Sequence, residues 1–232
     1  MPAVLRGQRH GLQPLAAQAA GMVAGTPGRV AWAGARMAES LHTDMQVLAR
    51  QLASEQRLTA SAPYALLGHS LGALLAFELA HELQALGCPA PLALFACGTA
   101  APTRREDYDG NNWREPKSDA ELISELRALQ GTPEEVLANA ELMSLTLPTL
   151  RADFLLCGTY TYRQRAALQC PLHVLGGVDD RASDEQLQAW RCETHGAFSL
   201  QMFPGGHFFI HEQEDRVLAA LTASLQPLRL SA

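Results

Sequence analysis

The chain has 232 residues, of which 47% are hydrophobic, and a formal net charge of −6 at neutral pH. This length suffices for one substantial core and is short for two ordinary domains of roughly 150 residues each, so we expect a single domain over 1–232. An acidic chain without a sustained basic stripe does not favour nucleic acid as a partner. No apolar run reaches the ~20 residues that span a bilayer, and the first ten residues lack the order of a secretory signal. We therefore expect a cytoplasmic protein that does not bind membranes.

The first predicted elements surround a short apolar run. Apolar residues at helical spacing predict an amphipathic helix over 39–54. The apolar run predicts a buried parallel strand over 64–67. A second helix is predicted over 71–86, with Gly87 just past its end. Strand, sharp turn and helix therefore follow one another here.

Strands and helices alternate through the rest of the chain. Short apolar runs predict strands over 92–97, 171–175 and 198–203, and helical spacing predicts helices over 186–194 and 213–225. This alternation indicates an α/β fold with a mostly parallel sheet and helices on both faces.

Residues 103–169 are long for a connection between two strands of such a sheet. They carry helical patterns over 119–130, 134–146 and 147–154. Connections at the carboxyl ends of parallel strands usually carry the substrate-facing parts. We therefore expect 103–169 to form a helical lid over the active site.

Residues 68–72, Gly-His-Ser-Leu-Gly, form a G-x-S-x-G pattern between a predicted strand and a predicted helix. In the nucleophile elbow of an α/β-hydrolase, a strained turn at this place exposes the serine hydroxyl, and the two glycines avoid a clash. The pattern is common by chance, but its strand and helix flanks make it more specific. We predict that Ser70 is the nucleophile. The backbone N–H of Leu71, helped by the positive end of the following helix, is predicted as one oxyanion donor.

A serine nucleophile needs a histidine base and a carboxylate that orients it, in this fold in the chain order serine, acid, histidine. His207 follows the last predicted strand and is predicted as the base. Asp179 and Asp180 follow the strand before it, and spacing alone leaves both carboxylates open, since Asp is also common in ordinary turns. We expect His69, beside the nucleophile, to be structural.

The cysteines and histidines do not indicate a metal site. Five cysteines are an odd number and include no Cys-x-x-Cys pair, which favours reduced thiols with a structural role. The eight histidines show no spacing typical of metal ligands. The sequence predicts neither a metal nor a cofactor.

With these segments placed, the chain resembles the type II thioesterases associated with nonribosomal peptide and polyketide synthases, over about residues 35–225. Trp190 stands eleven residues after Asp179, as in that family, and the resemblance therefore implies Asp179 as the orienting acid. Jointly, the matching pieces are far more specific than the elbow alone. They are 34–39, 67–73, 148–154, 160–162, 170–171, 176–177 and 205–209.

The resemblance implies a stand-alone, monomeric serine hydrolase. It would remove unwanted acyl groups from the phosphopantetheine arm of acyl or peptidyl carrier proteins and so restore a stalled synthase. The lid, including Arg151 and Asp153, would shape the acyl chamber and the carrier-protein entrance. For these two residues we favour a simpler interpretation, an intrahelical or surface ion pair worth under ~1 kcal/mol.

The match fails at the N-terminus, where residues 1–34 are atypical. The family opens with a strand and a Pro-His-Ala-Gly-Gly loop that supplies the second oxyanion donor, and no such loop is present. The first acidic residue is Glu39, although the chain has 24 of them. Two hypotheses are open for this region: an out-of-frame translation and a divergent N-terminus.

A missing oxyanion donor would lower turnover by about 10²–10³, and a missing strand would expose a sheet edge. Two functions therefore remain as alternatives to thioester hydrolysis. One is a general small-molecule esterase or acyltransferase that uses the same triad. The other is a catalytically impaired relative that only binds carrier proteins.

Overall fold

The structure is a computed structural model, and it describes residues 22–23, 26–27, 41–57, 63–105 and 113–229. Two short strands, β1 (Met22–Val23) and β2 (Thr26–Pro27), form an antiparallel pair. The rest of the atypical region 1–34 lies outside the described residues. The 34–39 piece of the family resemblance lies outside them as well.

Four parallel strands form the central sheet, and they are β3 (Leu66–His69), β4 (Leu94–Cys97), β5 (Leu172–Gly177) and β6 (Phe198–Phe203). They pair in the order β3-β4-β5-β6. All four were predicted, but β3 begins and ends two residues later than expected. Gly68 pairs with Ala96 and His69 with Cys97, so the strand continues up to Ser70 instead of ending at the glycine.

The sheet has helices on both faces, as its alternating side chains require. On β4, Leu94 and Ala96 join the larger core with α1 (Met45–Gln56) and α2 (Leu71–Ala85). Phe95 and Cys97 point to the opposite face and join a smaller core, which also contains Phe209 and Val217. The predicted α/β fold with a mostly parallel sheet is confirmed.

Helix ends follow local capping chemistry. α1 begins after Asp44, whose carboxylate accepts hydrogen bonds from the N–H groups of Gln46 and Val47 at 2.8 and 3.0 Å. The sequence had predicted a start at 39. α2 ends close to the predicted place, with Gly87 in the left-handed region at φ 76°.

The insertion between β4 and β5 is helical, as predicted. It contains a 3₁₀ turn (Pro102–Arg104), α3 (Asp119–Leu129), α4 (Glu134–Leu137) and α5 (Ala140–Gly158). Seven of its buried side chains form a small core, called the insertion core below, whereas Leu156, Tyr160 and Leu168 join the larger core. The seven are Trp113, Leu122, Leu126, Leu137, Met143, Leu147 and Leu150.

α5 corrects the predicted break between 146 and 147, because the helix passes through Pro148 without ending. Proline removes one hydrogen bond of the helix and is normally unfavourable there. Leu147 and Leu150, on either side of it, are each 6% exposed and belong to the insertion core. Their burial offsets the lost hydrogen bond and keeps the helix continuous.

The C-terminal elements are shared between the two faces, since Leu187 and Trp190 join the larger core and Phe209 and Val217 join the smaller one. They are α6 (Asp184–Gln188), a 3₁₀ turn (Ala189–Glu193), α7 (Phe209–Glu212) and α8 (Glu214–Arg229). The helix predicted over 186–194 is thus split into an α-helical and a 3₁₀ part. Within the described ranges, no helix combines the length and the apolar character needed to cross a membrane.

Candidate active site

Ser70 occupies a strained turn between β3 and α2. Its backbone has φ 54° and ψ −121°, a conformation that residues with a Cβ rarely adopt and that costs on the order of 1–3 kcal/mol. Its N–H donates to the carbonyl of Cys97 at 2.7 Å, which ties the turn to the end of β4. The side chain is not used as a helix cap. Ser70 therefore has the strained backbone turn that a nucleophile elbow requires.

Gly68 makes the elbow possible. A Cβ on Gly68 would lie 1.9 Å from the carbonyl oxygen of Gly72, far inside van der Waals contact. The strand end and the first turn of α2 can therefore approach each other only with glycine at this position. This is the clash that the G-x-S-x-G pattern predicts.

Leu71 is the first residue of α2, so its N–H has no carbonyl four residues earlier within the helix. The positive end of the helix macrodipole lies at the same place. Both features suit an oxyanion that forms beside Ser70. The second donor loop that the resemblance called for would fall in 1–34, where the structure describes only 22–23 and 26–27.

His207 lies on the loop after β6, and its ring contacts Asp180. Its Nδ1 is 3.1 Å from each carboxylate oxygen of Asp180, and the two side chains are 6% and 2% exposed. The backbone N–H of Arg181 also donates to Asp180, at 2.7 Å. Asp180 is thus held in the orientation that a histidine-orienting carboxylate requires.

The preference for Asp179 is corrected by this contact. Asp179 is exposed, and its N–H donates to the carbonyl of Gly205 at 3.0 Å. The turn that follows β5 contains a second backbone hydrogen bond, from the N–H of Asp180 to the carbonyl of Gly177 at 3.2 Å. Asp179 therefore joins the acid loop to the histidine loop through its backbone, and Asp180 supplies the carboxylate.

Trp190 does not identify the acid, although its spacing had suggested Asp179. Its indole N–H donates to the carbonyl of Thr99 at 3.0 Å, and its ring packs edge-on against Phe77 with centroids 5.6 Å apart. The tryptophan anchors the 3₁₀ turn 189–193 to the core. The eleven-residue spacing between Asp179 and Trp190 is therefore explained by the packing of Trp190. It does not indicate which aspartate side chain points to His207.

His69 is buried beneath the histidine loop, as its predicted structural role suggests. Its Nε2 is 2.7 Å from the carbonyl oxygen of His207, and the two rings have centroids 4.8 Å apart. Burial, followed by the neighbouring His207, lowers the pKa of His69 to about 3. His69 is therefore neutral at ordinary pH.

The helical insertion contacts the loops that follow β5 and β6. In α3, Glu125 forms an ion pair with Arg181, the residue after Asp180. In the turn after α3, a Cβ on Gly131 would lie 1.9 Å from the ring of Phe208, the residue after His207. The insertion is thus packed directly on the loops that carry Asp180 and His207.

Arg151 takes part in an ion pair, as the simpler interpretation expected. Its guanidinium forms an ion pair with Asp119 and donates to the carbonyl of Lys117 at 3.1 Å, which joins α5 to the start of α3. Asp153 is 2% exposed. The ion-pair interpretation of Arg151 is therefore supported, with a different partner from the one considered.

Metal-binding groups are not assembled in the described part of the chain, where no cluster of three His, Cys, Asp or Glu residues could hold an ion. The five cysteines all lie in that part, and no two of them are joined in a disulfide.

Comparisons with known proteins identify the family and the fold. A family model described as the thioesterase domain matches residues 14–225. The gramicidin S biosynthesis protein GrsT of Aneurinibacillus migulanus is 39% identical over 195 residues, which cover 82% of this chain and 74% of the relative.

Two solved structures are similar along most of their length. The RedJ thioesterase of the prodiginine pathway of Streptomyces coelicolor has a TM-score of 0.78 and 34% identity, covering 85% of this chain and 78% of that one. The type II thioesterase BorB of the borrelidin biosynthetic cluster has a TM-score of 0.74 and 36% identity, covering 85% and 80%. The predicted α/β-hydrolase fold is confirmed.

Proposed function

Because the chain belongs to the thioesterase-domain family, we propose that it is a stand-alone serine hydrolase acting on acyl thioesters of carrier proteins in nonribosomal peptide or polyketide synthesis. The observation that carries the proposal is the pairing of His207 with Asp180 at the sheet edge where the Ser70 elbow lies. The relatives support the substrate class, since they come from gramicidin, prodiginine and borrelidin biosynthesis.

In the acylation step, Ser70 Oγ attacks the thioester carbonyl and passes its proton to Nε2 of His207. Asp180 orients the ring through Nδ1–H and stabilises the imidazolium that forms. The carbonyl oxygen becomes an oxyanion that accepts a hydrogen bond from the N–H of Leu71. The carbon–sulfur bond then breaks, and the imidazolium protonates the departing pantetheine thiolate.

In the deacylation step, a water molecule attacks the acyl ester on Ser70. His207 takes a proton from the water and returns it to Ser70 Oγ as the ester bond breaks. The acyl group leaves as a carboxylic acid. The carrier protein, already released with a free thiol, can be loaded again.

The phosphopantetheine arm arrives on the carrier protein, so the proposed chemistry requires no cofactor bound to this chain. We place the enzyme with its carrier partners in the cytoplasm, as a monomer of one domain over 1–232. Residues 103–169 serve as its lid. The contacts of Glu125 and Gly131 with the two catalytic loops support this assignment, because a lid over the acyl site must approach those loops.

The test presents the protein and its Ser70→Ala variant with an acetyl-loaded carrier protein, an acyl-coenzyme A and a p-nitrophenyl ester. We expect Ser70-dependent release of acetate, fastest from the carrier protein. Ester cleavage without carrier-dependent release would overturn the substrate class and favour a general esterase. Tight carrier binding without any Ser70-dependent turnover would favour a binding-only protein.

A further inference from the structure

His69 connects the nucleophile strand to the loop that carries the base. It is the last residue of β3 and directly precedes Ser70. Its side chain reaches the loop after β6, where its Nε2 lies 2.7 Å from the carbonyl oxygen of His207. His69, the residue before the proposed nucleophile Ser70, is therefore hydrogen-bonded to the backbone of His207, the residue that must deprotonate Ser70.

The direction of this hydrogen bond is set by its chemistry. A carbonyl oxygen can only accept, so Nε2 of His69 carries the proton and donates. The side chain is 2% exposed, and this bond satisfies a donor that would be costly to bury unpaired.

The ring of His69 also contacts the two residues after His207. Its centroid lies 5.8 Å from that of Phe208 and 6.2 Å from that of Phe209. On its other side, Gly98 leaves room for it, because a Cβ there would lie 2.9 Å from Nε2. One buried side chain thus packs on three consecutive residues of the histidine loop.

Two restraints then act on His207 at different atoms. Asp180 holds Nδ1 and so fixes how the ring is rotated. His69 holds the backbone carbonyl and so fixes where the residue stands relative to Ser70. Together they determine the location of Nε2, the atom that takes the serine proton. Catalysis is sensitive to such placement, since an error of 1 Å can lower the rate about 10²-fold.

We propose that His69 is a positioning residue for the reaction, and that its Nε2–H bond to the carbonyl of His207 places the general base against Ser70. This inference rests on the proposed function, because it assumes that Ser70 and His207 react together. It goes beyond a general packing role, because it assigns the effect to one N–H group.

The charge state of His69 fits this role. Its low pKa, caused first by burial and then by His207, keeps it neutral while His207 becomes positively charged during the reaction. A protonated ring 4.8 Å away would oppose that charge. A neutral donor positions the base without weakening it.

The experiment uses a matched pair of substitutions. His69→Gln keeps an N–H at the same number of bonds from the backbone, whereas His69→Met has a similar length and no donor. His173→Met is the control, because His173 lies on β5 with its Nδ1 2.7 Å from Ser199 Oγ and has no role at Ser70. Each protein is assayed for kcat and KM with p-nitrophenyl acetate and for the rate at which phenylmethanesulfonyl fluoride modifies Ser70. Thermal unfolding confirms that each is folded.

We expect His69→Met to lower both kcat and the rate of Ser70 modification by roughly 10- to 100-fold, with KM unchanged. His69→Gln should recover most of that loss, and His173→Met should match the wild type. Equal losses of kcat in the Gln and Met variants would show a packing effect and overturn the inference. Wild-type rates in both variants would overturn it as well. If His69→Met does not fold, His69→Phe supplies a second side chain without the donor.

The two proposals fail in different ways. If the wild type lacks any Ser70-dependent reaction with both reagents, the proposed function and this inference are both overturned. If the wild type reacts and the donor-free variants react equally fast, only the role of His69 is overturned.

Discussion

Arg181, the residue directly after Asp180, forms an ion pair with Glu125 of lid helix α3. The Glu125 side chain is 17% exposed and that of Arg181 is 48% exposed, so the pair is partly shielded from water. The same arginine donates its backbone N–H to Asp180. The lid is therefore connected to the proposed catalytic acid through a single residue.

The first prediction concerns this connection. Glu125→Gln removes the charge that holds Arg181, and we expect trypsin to cut the lid severalfold faster under native conditions. Glu135→Gln makes the same charge change at an exposed position of α4 and should leave the cutting rate unchanged. Equal rates for the wild type and the Glu125 variant would show that the ion pair does not hold the lid.

The second prediction separates the two neighbouring aspartates. Asp180→Asn replaces the carboxylate that contacts Nδ1 of His207, and we expect kcat to fall on the order of 10³–10⁴-fold because the ring loses its required tautomer. Asp179→Asn changes an exposed side chain and keeps its backbone bond to Gly205, so kcat should stay close to that of the wild type. The measurement is steady-state hydrolysis of a p-nitrophenyl ester. The reverse pattern would return the role to Asp179.

The third prediction concerns Gly98, which has φ 63°. In Gly98→Ala the new Cβ would lie 2.9 Å from Nε2 of His69 and 3.5 Å from Oδ2 of Asp180. We expect a loss of stability above the ~1–2 kcal/mol that a left-handed alanine costs, together with reduced kcat.

Gly87→Ala is the matched control for Gly98. Gly87 has φ 76°, and a Cβ there would meet nothing within 4 Å. Its substitution should therefore cost only the backbone strain and leave kcat unchanged. Urea unfolding and ester hydrolysis measure the two effects separately. Equal losses of stability and activity in both variants would contradict the proposed crowding at Gly98.

The fourth prediction is a pH dependence of stability. The pKa of His69 falls from 6.5 to about 3 on folding because of burial and the nearby His207. Between these values the unfolded chain binds a proton that the folded chain does not, so acidification destabilises the fold. From about pH 7 to about pH 5.5, His69 should lower the free energy of unfolding by about 1 kcal/mol.

Comparing the wild type with His69→Gln isolates this contribution. Groups common to both chains cancel, including His81, whose pKa burial lowers to about 4. Urea unfolding at the two pH values should show a smaller loss of stability in the variant. Identical losses in the two chains would show that His69 titrates normally in the folded protein.

The fifth prediction concerns the buried carboxylate of Glu78 on α2, which is 0% exposed. Glu78 accepts hydrogen bonds from Tyr160 at 2.7 Å and from Gln46 at 2.8 Å, and it lies 2.6 Å from the guanidinium of Arg165. Removing one partner of a buried pair typically costs about 3–5 kcal/mol. We expect a loss of that order for Glu78→Ala in urea unfolding.

A surface pair on the lid supplies the control for Glu78. Glu134→Ala removes the carboxylate that contacts Arg127 on the exposed side of the lid. The urea midpoint of this variant should equal that of the wild type. Exposed ion pairs contribute little because water and salt screen them. A loss of stability as large as that of Glu78→Ala would mean that burial does not determine the effect.

Local patterns predicted much of the fold. The four strands of the parallel sheet and the elbow at Ser70 follow from short apolar runs, glycine positions and helical spacing, which depend on residues close together in the chain. Helix ends and breaks were less accurate. α1 begins later than predicted because the side chain of Asp44 caps it at Met45. α5 passes through Pro148 because Leu147 and Leu150 are buried in the insertion core, and that burial depends on other helices.

The sequence by itself located the proposed nucleophile and the proposed base, because Ser70 and His207 each stand in a local glycine-containing pattern that follows a predicted strand. Only the tertiary structure decided that Asp180, and not Asp179, contacts His207. The physical reason is that the N–H of Asp179 bonds to Gly205 on the neighbouring loop, which turns the next carboxylate inward. That bond joins residues far apart in the chain, and no local spacing encodes it.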